Sequence, residues 1–128
     1  MVARNSIERQ TLLIVDDDPD VLRALAFMTA TRGFGVQRCG TAREAIALAA
    51  AGQRFAGLII DQKLPDLQGI ELLSRLRELG VEAPAVVITT GPSPTLKRQA
   101  AAAGVPIVEK PLLDEELFTQ LHRLIGPD

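Results

Sequence analysis

Apolar residues fall along this chain in two rhythms. Short unbroken runs occur at Leu12-Leu13-Ile14-Val15, Leu58-Ile59-Ile60 and Ala85-Val86-Val87-Ile88. A run without polar interruption is the pattern of a strand buried on both faces of a parallel sheet. Between the runs, apolar positions recur every three or four residues, as on one face of a helix. The first strand is predicted over 11–16. Asp18 and Pro19 then supply an N-cap and first position for a helix carrying Val21, Leu22, Leu25 and Met28, which Gly33 ends. A second strand follows over 34–38. Thr41 and Glu44 spell a capping box before an Ala-rich helix with Ile46, Ala49 and Ala50, closed by Gly52. The third strand is predicted over 56–61, and a helix over 69–79 with Ile70, Leu73 and Leu76 on one face and Gly80 at its end. The fourth strand covers 85–90. Ser93 and Pro94 cap and start a fourth, Ala-rich helix that stops at Gly104. The fifth strand covers 105–109, and Asp114 caps a last helix with Leu117, Leu121, Leu124 and Ile125.

Five strand–helix units predict an α/β, doubly wound fold with helices on both faces of a parallel sheet, each connection a right-handed crossover. The Ala-rich faces of the second and fourth helices are expected to pack tightly on the sheet, with Met28 in the core. A chain of 128 residues suits one domain. It is 47% hydrophobic but only 3% aromatic, so the core is built from Leu, Ile, Val and Ala. The formal net charge of −2 gives no global basic signal for nucleic acid. A lone cysteine, Cys39, excludes an internal disulfide and fits a reducing compartment. Residues 1–11 do not read as a signal peptide, and no apolar stretch approaches the roughly 18 residues that span a membrane. The expectation is a soluble, cytoplasmic protein: an N-terminal extension over 1–10, one domain over 11–126, and no second domain.

The candidate chemistry lies where the strands end. In a doubly wound sheet, sites form outside the carboxyl ends of the strands. The first strand delivers Asp16 and Asp17 there, and the third delivers Asp61. Thr89 and Thr90 end the fourth, and Lys110 with Pro111 follows the fifth. Clustered carboxylates repel one another and resist full ionisation. A hard divalent cation relieves that repulsion, and Mg²⁺ prefers such oxygen ligands. Acids, a hydroxyl and an ammonium on one edge suit phosphoryl transfer, in which a carboxylate can be the nucleophile. Asp18 reads as a helix cap only, His122 as a solvated side chain, and Cys39 as structural.

These residues, in this order, resemble the receiver domain of bacterial response regulators, the phosphoacceptors of two-component and phosphorelay signalling. The resemblance covers residues 11–126. It rests on Asp16-Asp17, on Asp61 in the context Asp61-x-x-Leu64-Pro65-x-x-x-Gly69, on Thr89, and on Lys110-Pro111. It implies a flavodoxin-like three-layer sandwich with a five-stranded parallel sheet of order 2-1-3-4-5. It implies that Asp61 accepts a phosphoryl group from a histidine kinase or histidine phosphotransfer protein. Asp17 and Asp61 would ligate Mg²⁺ or Mn²⁺, with Asp16 acting through bound water and the Lys63 backbone carbonyl as a further ligand. Thr89 would swing toward the phosphoryl group, Lys110 would pair with it, and Pro111 marks a bend. Such a domain is a switch, not a turnover enzyme. It is read out by binding a protein target through the face of the fourth helix, fifth strand and fifth helix, here including Lys97, Arg98 and Gln99, and that face also permits a homodimer. No DNA-binding domain or membrane segment is expected in this chain.

Several positions depart from the family. Ile107 stands where many receivers carry Tyr or Phe, so the aromatic switch is degenerate. Lys63 places a cation near the path of an attacking water, which predicts an altered phosphoryl lifetime. Thr90 replaces the usual Ala or Gly and narrows access, while Pro92 and Pro94 stiffen the loop before the fourth helix. Two other classes compete. One is a receiver-like interaction module never regulated by phosphorylation, which Ile107 favours. The other is a small phosphohydrolase using Asp16 as nucleophile in an Asp-x-Asp pattern, against which stands the lack of a cap domain or substrate-specific insertion. Nucleotide or flavin binding is disfavoured, since no Gly-rich loop follows the first strand.

Overall fold

A computed structural model describes residues 10–110 and 119–120. Among them are strands β1 (Thr11–Val15), β2 (Gly35–Cys39), β3 (Gly57–Asp61), β4 (Ala85–Thr89) and β5 (Ile107–Glu109). The helices are α1 (Pro19–Thr31), α2 (Ala42–Ala50), α3 (Gly69–Glu78) and α4 (Pro94–Ala103). The expected bend at Pro111 and the expected last helix, from Asp114 through His122 to Ile125, lie outside the described residues apart from two helical positions, Thr119 and Gln120. All strand pairs are parallel, in the order β2-β1-β3-β4-β5.

The unbroken apolar runs are unbroken because both faces of the sheet are covered. Leu12, Leu13, Ile14 and Val15 are all fully buried. Alternate residues feed two separate cores. Leu12 and Ile14 join Ile59, Val86, Ile88 and Val108 under Val21, Leu22, Leu25 and Met28 of α1. Leu13 and Val15 join Leu58, Ile60 and Val87 under α2, α3 and Leu96 of α4. The connection through α1 runs one way from β1, whereas those through α2, α3 and α4 run the other way. Right-handed crossovers on either side of that reversal demand opposite faces, which is the distribution seen.

Caps set the helix starts. Asp18 accepts from the Asp20 N–H at 2.9 Å, and Ser93 from Leu96 at 3.0 Å. Thr41 accepts from Glu44 at 3.1 Å, but Glu44 reaches back to the Gly40 N–H, one residue before the cap. Strands one and four and the third helix end one residue earlier than the sequence reading, strand three starts one later, and two further boundaries differ for a visible reason. The fifth strand opens at Ile107, not 105, because Gly104 takes the left-handed conformation (φ 71°) and the Val105 N–H folds back to the Ala100 carbonyl at 2.9 Å. Pro106 has no N–H for the ladder, though its carbonyl accepts from Val87. The second strand is shifted one residue on, since the Phe34 N–H still closes α1 on Thr29.

The Ala-rich helices differ from each other. In α2, Ala42, Ala45 and Ala49 are buried at helical spacing, as expected. In α4 only Leu96 and Ala100 are buried; Ala101, Ala102 and Ala103 face solvent. Leu96 and Ala100, one i,i+4 pair, are its buried residues, so Ala101 to Ala103 do not extend a packing face among the described residues. Substitution separates the two cases. Ala45→Leu is expected to lower unfolding free energy in urea by about 1–3 kcal/mol through overpacking, and Ala102→Leu to change it by less than about 0.5 kcal/mol.

Candidate functional site

Register places the site. Val15 pairs with Ile60, and Asp61 with Ile88, so Asp16 and Asp61 leave neighbouring strands at the same level. The ladder continues past the strands: the Asp16 N–H donates to the Cys39 carbonyl, Gln62 to Ile88, and Lys110 to Thr89. Asp16, Asp61 and Lys110 therefore start from rigid, hydrogen-bonded backbone rather than from loose loops. Thr89 ends β4 one residue beyond the partner of Asp61 and is 7% exposed.

Lys110 Nζ lies 3.2 Å from Asp16 Oδ2 and 3.2 Å from Asp61 Oδ1. Asp17, which is exposed, completes a cluster in which one carboxylate oxygen from each acid lies within 4.8 Å of the others. Three carboxylates thus face one ammonium. Burial raises the Asp61 carboxyl above its ordinary range; the charge of Asp16 adds to this, and Lys110 opposes it. For Lys110, burial pulls the ammonium down, but attraction to Asp16 and Asp61 outweighs it and leaves the group raised. Asp16 is fully buried; its Oδ1 accepts from the Asp18 N–H at 3.0 Å. Its Oδ2 has no well-aligned donor despite the nearby Nζ. A buried carboxylate oxygen without a donor is costly, and a cation ligated by this cluster would satisfy it. The donor set, carboxylate oxygen throughout, fits a hard divalent metal.

The segment after Asp61 is held against the start of α3. Gln62 accepts from Gly69 through its carbonyl at 2.8 Å and from Ile70 through its side-chain Oε1 at 2.9 Å. Gly69 is required there, since a Cβ at that residue would sit 2.4 Å from the Asp61 carbonyl oxygen. Lys63 is exposed, its backbone bridges Gln68, and its side chain forms no ion pair with a described residue. Thr90 is exposed and shares with Lys110 the lining of an open cavity of about 520 Å³ beside Val21, Ala24 and Met28 of α1. Ile107 is half-buried and packs against the core on the face of the sheet that α2, α3 and α4 share. Pro111 lies outside the described residues. Cys39 is buried away from solvent, its thiol pushed up to about 11 by burial and by Glu44, so it is no nucleophile.

Sequence reading missed Gln62 and Asp66. Asp66 accepts from the N–H groups of Ala42 (3.0 Å) and Arg43 (2.9 Å), and those bonds hold its carboxyl below the usual range. Only the topology brings residues so far apart in sequence together.

Comparison with known proteins agrees with this arrangement. The family model described as response regulator receiver domain matches residues 12–122. The chain is 36% identical over 114 residues to the transcriptional regulatory protein FixJ of Rhizobium meliloti, covering 88% of this chain and 55% of that protein. It is 34% identical over 115 residues to the transcriptional regulatory protein KdpE of Mycobacterium tuberculosis, covering 89% and 50%. The chain therefore spans about half the length of these relatives. Among solved structures, a CheY-like receiver domain protein from Methanospirillum hungatei superposes with a TM-score of 0.83 at 26% identity, covering 91% of this chain and 93% of that one. A response regulator from Burkholderia pseudomallei, solved with a phosphorylated aspartic acid, calcium and citrate, gives 0.78 at 26% identity, covering 88% and 66%.

The raised Asp61 carboxyl has a consequence for stability. The folded protein binds this proton more tightly than the unfolded chain does. Between the ordinary carboxylate range and the raised one, the folded state therefore holds more protons, and stability falls as pH rises through that window. Without divalent cations at neutral pH, Asp61→Asn is expected to unfold at a higher temperature than the wild type. The advantage should shrink as pH drops below the ordinary carboxylate range. Equal midpoints at neutral pH would contradict the electrostatic reading.

Proposed function

The chain belongs to the response regulator receiver domain family, and from that premise we propose that it is a phosphoacceptor switch with Asp61 as the acceptor. The observation that carries this is the contact of Lys110 Nζ with Asp16 and Asp61 at 3.2 Å inside a three-carboxylate cluster. A carboxylate oxygen of Asp61 attacks the phosphorus of a phosphohistidine on a histidine kinase or phosphotransfer protein. The new P–O bond forms as the P–N bond breaks, and the imidazole leaves with the electron pair. Asp16, Asp17, Asp61 and the Lys63 carbonyl would hold Mg²⁺ or Mn²⁺. The bound metal supplies neutralisation of charge on the phosphoryl oxygens. Lys110, already beside Asp61 Oδ1, pairs with one of those oxygens, and the Thr89 hydroxyl donates to another. The Burkholderia relative, which carries a phosphorylated aspartate and calcium, supports both assignments.

Phosphorylation adds charge and acceptor oxygens at a rigid sheet edge and biases a two-state element beside it. Output is by protein binding, with Lys97, Arg98 and Gln99 exposed on α4 as part of the target or dimer surface. Ile107 already packs in the core, so readout here does not run through an aromatic side chain rotating inward. The same packing is what favours the rival interaction module that is never phosphorylated. Full burial of Asp16 disfavours the phosphohydrolase reading, because that carboxylate cannot reach a phosphate ester. Among the described residues no helix is long and apolar enough to cross a membrane, which fits a cytoplasmic signalling role.

Two outcomes are expected. Incubation with Mg²⁺ and acetyl phosphate, followed by acid quench and intact-mass measurement, should show one added phosphoryl group on the wild type and none on Asp61→Asn. No adduct on the wild type would favour the unphosphorylated module. In a time course of the same reaction, Thr90→Ala should label faster than wild type, since Thr90 stands beside Lys110 at the mouth of the site.

A further inference from the structure

The first turn of any helix presents backbone N–H groups without intrahelical partners. In α2, Thr41 satisfies the N–H of Glu44. The donors of Ala42 and Arg43 have no acceptor nearby in sequence. Asp66 supplies one for each, Oδ1 to Ala42 at 3.0 Å and Oδ2 to Arg43 at 2.9 Å. A carboxylate across a helix N-terminus is also favoured by the helix dipole.

Asp66 lies in the segment Gln62–Gln68, which starts directly after Asp61. Within this loop Leu64 and Leu67 are half-buried and pack against the core, while Lys63, Pro65, Asp66 and Gln68 are exposed. Its base is closed by the bonds from Gly69 and Ile70 to Gln62. Its tip is tied down by Asp66. Asp66 is received by the first turn of α2, and Cys39, three residues before Ala42, receives Asp16, whose N–H donates to the Cys39 carbonyl at 3.0 Å. The short stretch from Cys39 to Arg43 thus anchors both acidic segments, the first through the Cys39 carbonyl and the second through Asp66.

We propose that Asp66 is a positioning residue for the phosphoacceptor site, clamping the loop after Asp61 to the start of α2 and so fixing the Lys63 carbonyl and Asp61 as cation ligands. This rests on the receiver reading and deepens it. Asp66 itself touches neither metal nor phosphoryl group.

A purely structural cap would act on stability alone, and Thr41 provides the control. Thr41→Ala removes a cap from the same helix end without touching the loop. Mg²⁺ affinity should be measured by titration calorimetry, with acetyl phosphate labelling rates alongside, for wild type, Asp66→Ala, Asp66→Asn and Thr41→Ala. Both alanine variants should unfold at lower temperature than wild type. Asp66→Ala should weaken Mg²⁺ binding by roughly tenfold or more, as loss of outer partners of metal ligands does, and slow labelling. Thr41→Ala should stay within about twofold of wild type on the same reasoning. Asp66→Asn, which keeps one acceptor, should fall between, and it serves if the alanine variant does not fold. Equal Mg²⁺ affinity in Asp66→Asn and wild type, or an equal loss in Asp66→Ala and Thr41→Ala, would overturn the proposal. A wild type that binds no Mg²⁺ would overturn the receiver reading beneath it.

Discussion

Negative charge is gathered at one edge of the sheet faster than the protein neutralises it. Asp16, Asp17 and Asp61 meet there, and Lys110 is the single described cation that pairs with any of them. Such a cluster is unfavourable in isolation, and it persists only because the surroundings leave it no way to relax. Asp16 and Asp61 stand at the ends of strands whose side chains are buried on both faces, level with each other, and Lys110 follows β5 two residues beyond the partner of Ile88. The two cores hold the strands; the strands hold the charges. On the proposed function, that stored repulsion is what makes the site receptive to a divalent cation and then to a phosphoryl group.

Much of this was legible in the sequence. Unbroken apolar runs ending in Asp16 and Asp61 indicated buried parallel strands with acids at their ends, and Lys110 after Val108 supplied the cation. Caps at Asp18, Thr41 and Ser93 fixed three helix starts because capping is local chemistry. What escaped was non-local or competitive. Asp66 reads as an ordinary turn residue until the fold carries it to α2. Val105 looks like strand, but the end of α4 claims its N–H first. The alanines after Ala100 look like a packing stripe, yet α4 meets the core along one short line. Composition alone cannot distinguish α4 from α2, where Ala42, Ala45 and Ala49 are all buried.

The residues that set this chain apart from its family surround the charge cluster rather than form it. Thr90 is exposed beside Lys110, Lys63 is exposed two residues after Asp61, and Ile107 packs against the core. On the proposed function the acids and the lysine carry the shared chemistry, and these neighbours would tune lifetime, access and readout without altering it. The loop bearing Lys63 is the most adjustable of them. Its position is held by hydrogen bonds at Gln62 and Asp66 together with the packing of Leu64 and Leu67 against the core.

Thermal unfolding in MgCl₂ against NaCl at matched ionic strength tests the central claim most directly. A cation held by the folded site alone stabilises in proportion to its occupancy, whereas screening acts alike for both salts. The account predicts a midpoint that climbs with Mg²⁺ beyond the sodium control in wild type, with most of that extra rise lost in Asp17→Asn. The same rise in both salts would mean that the carboxylates do not form a cation site, and would contradict the account.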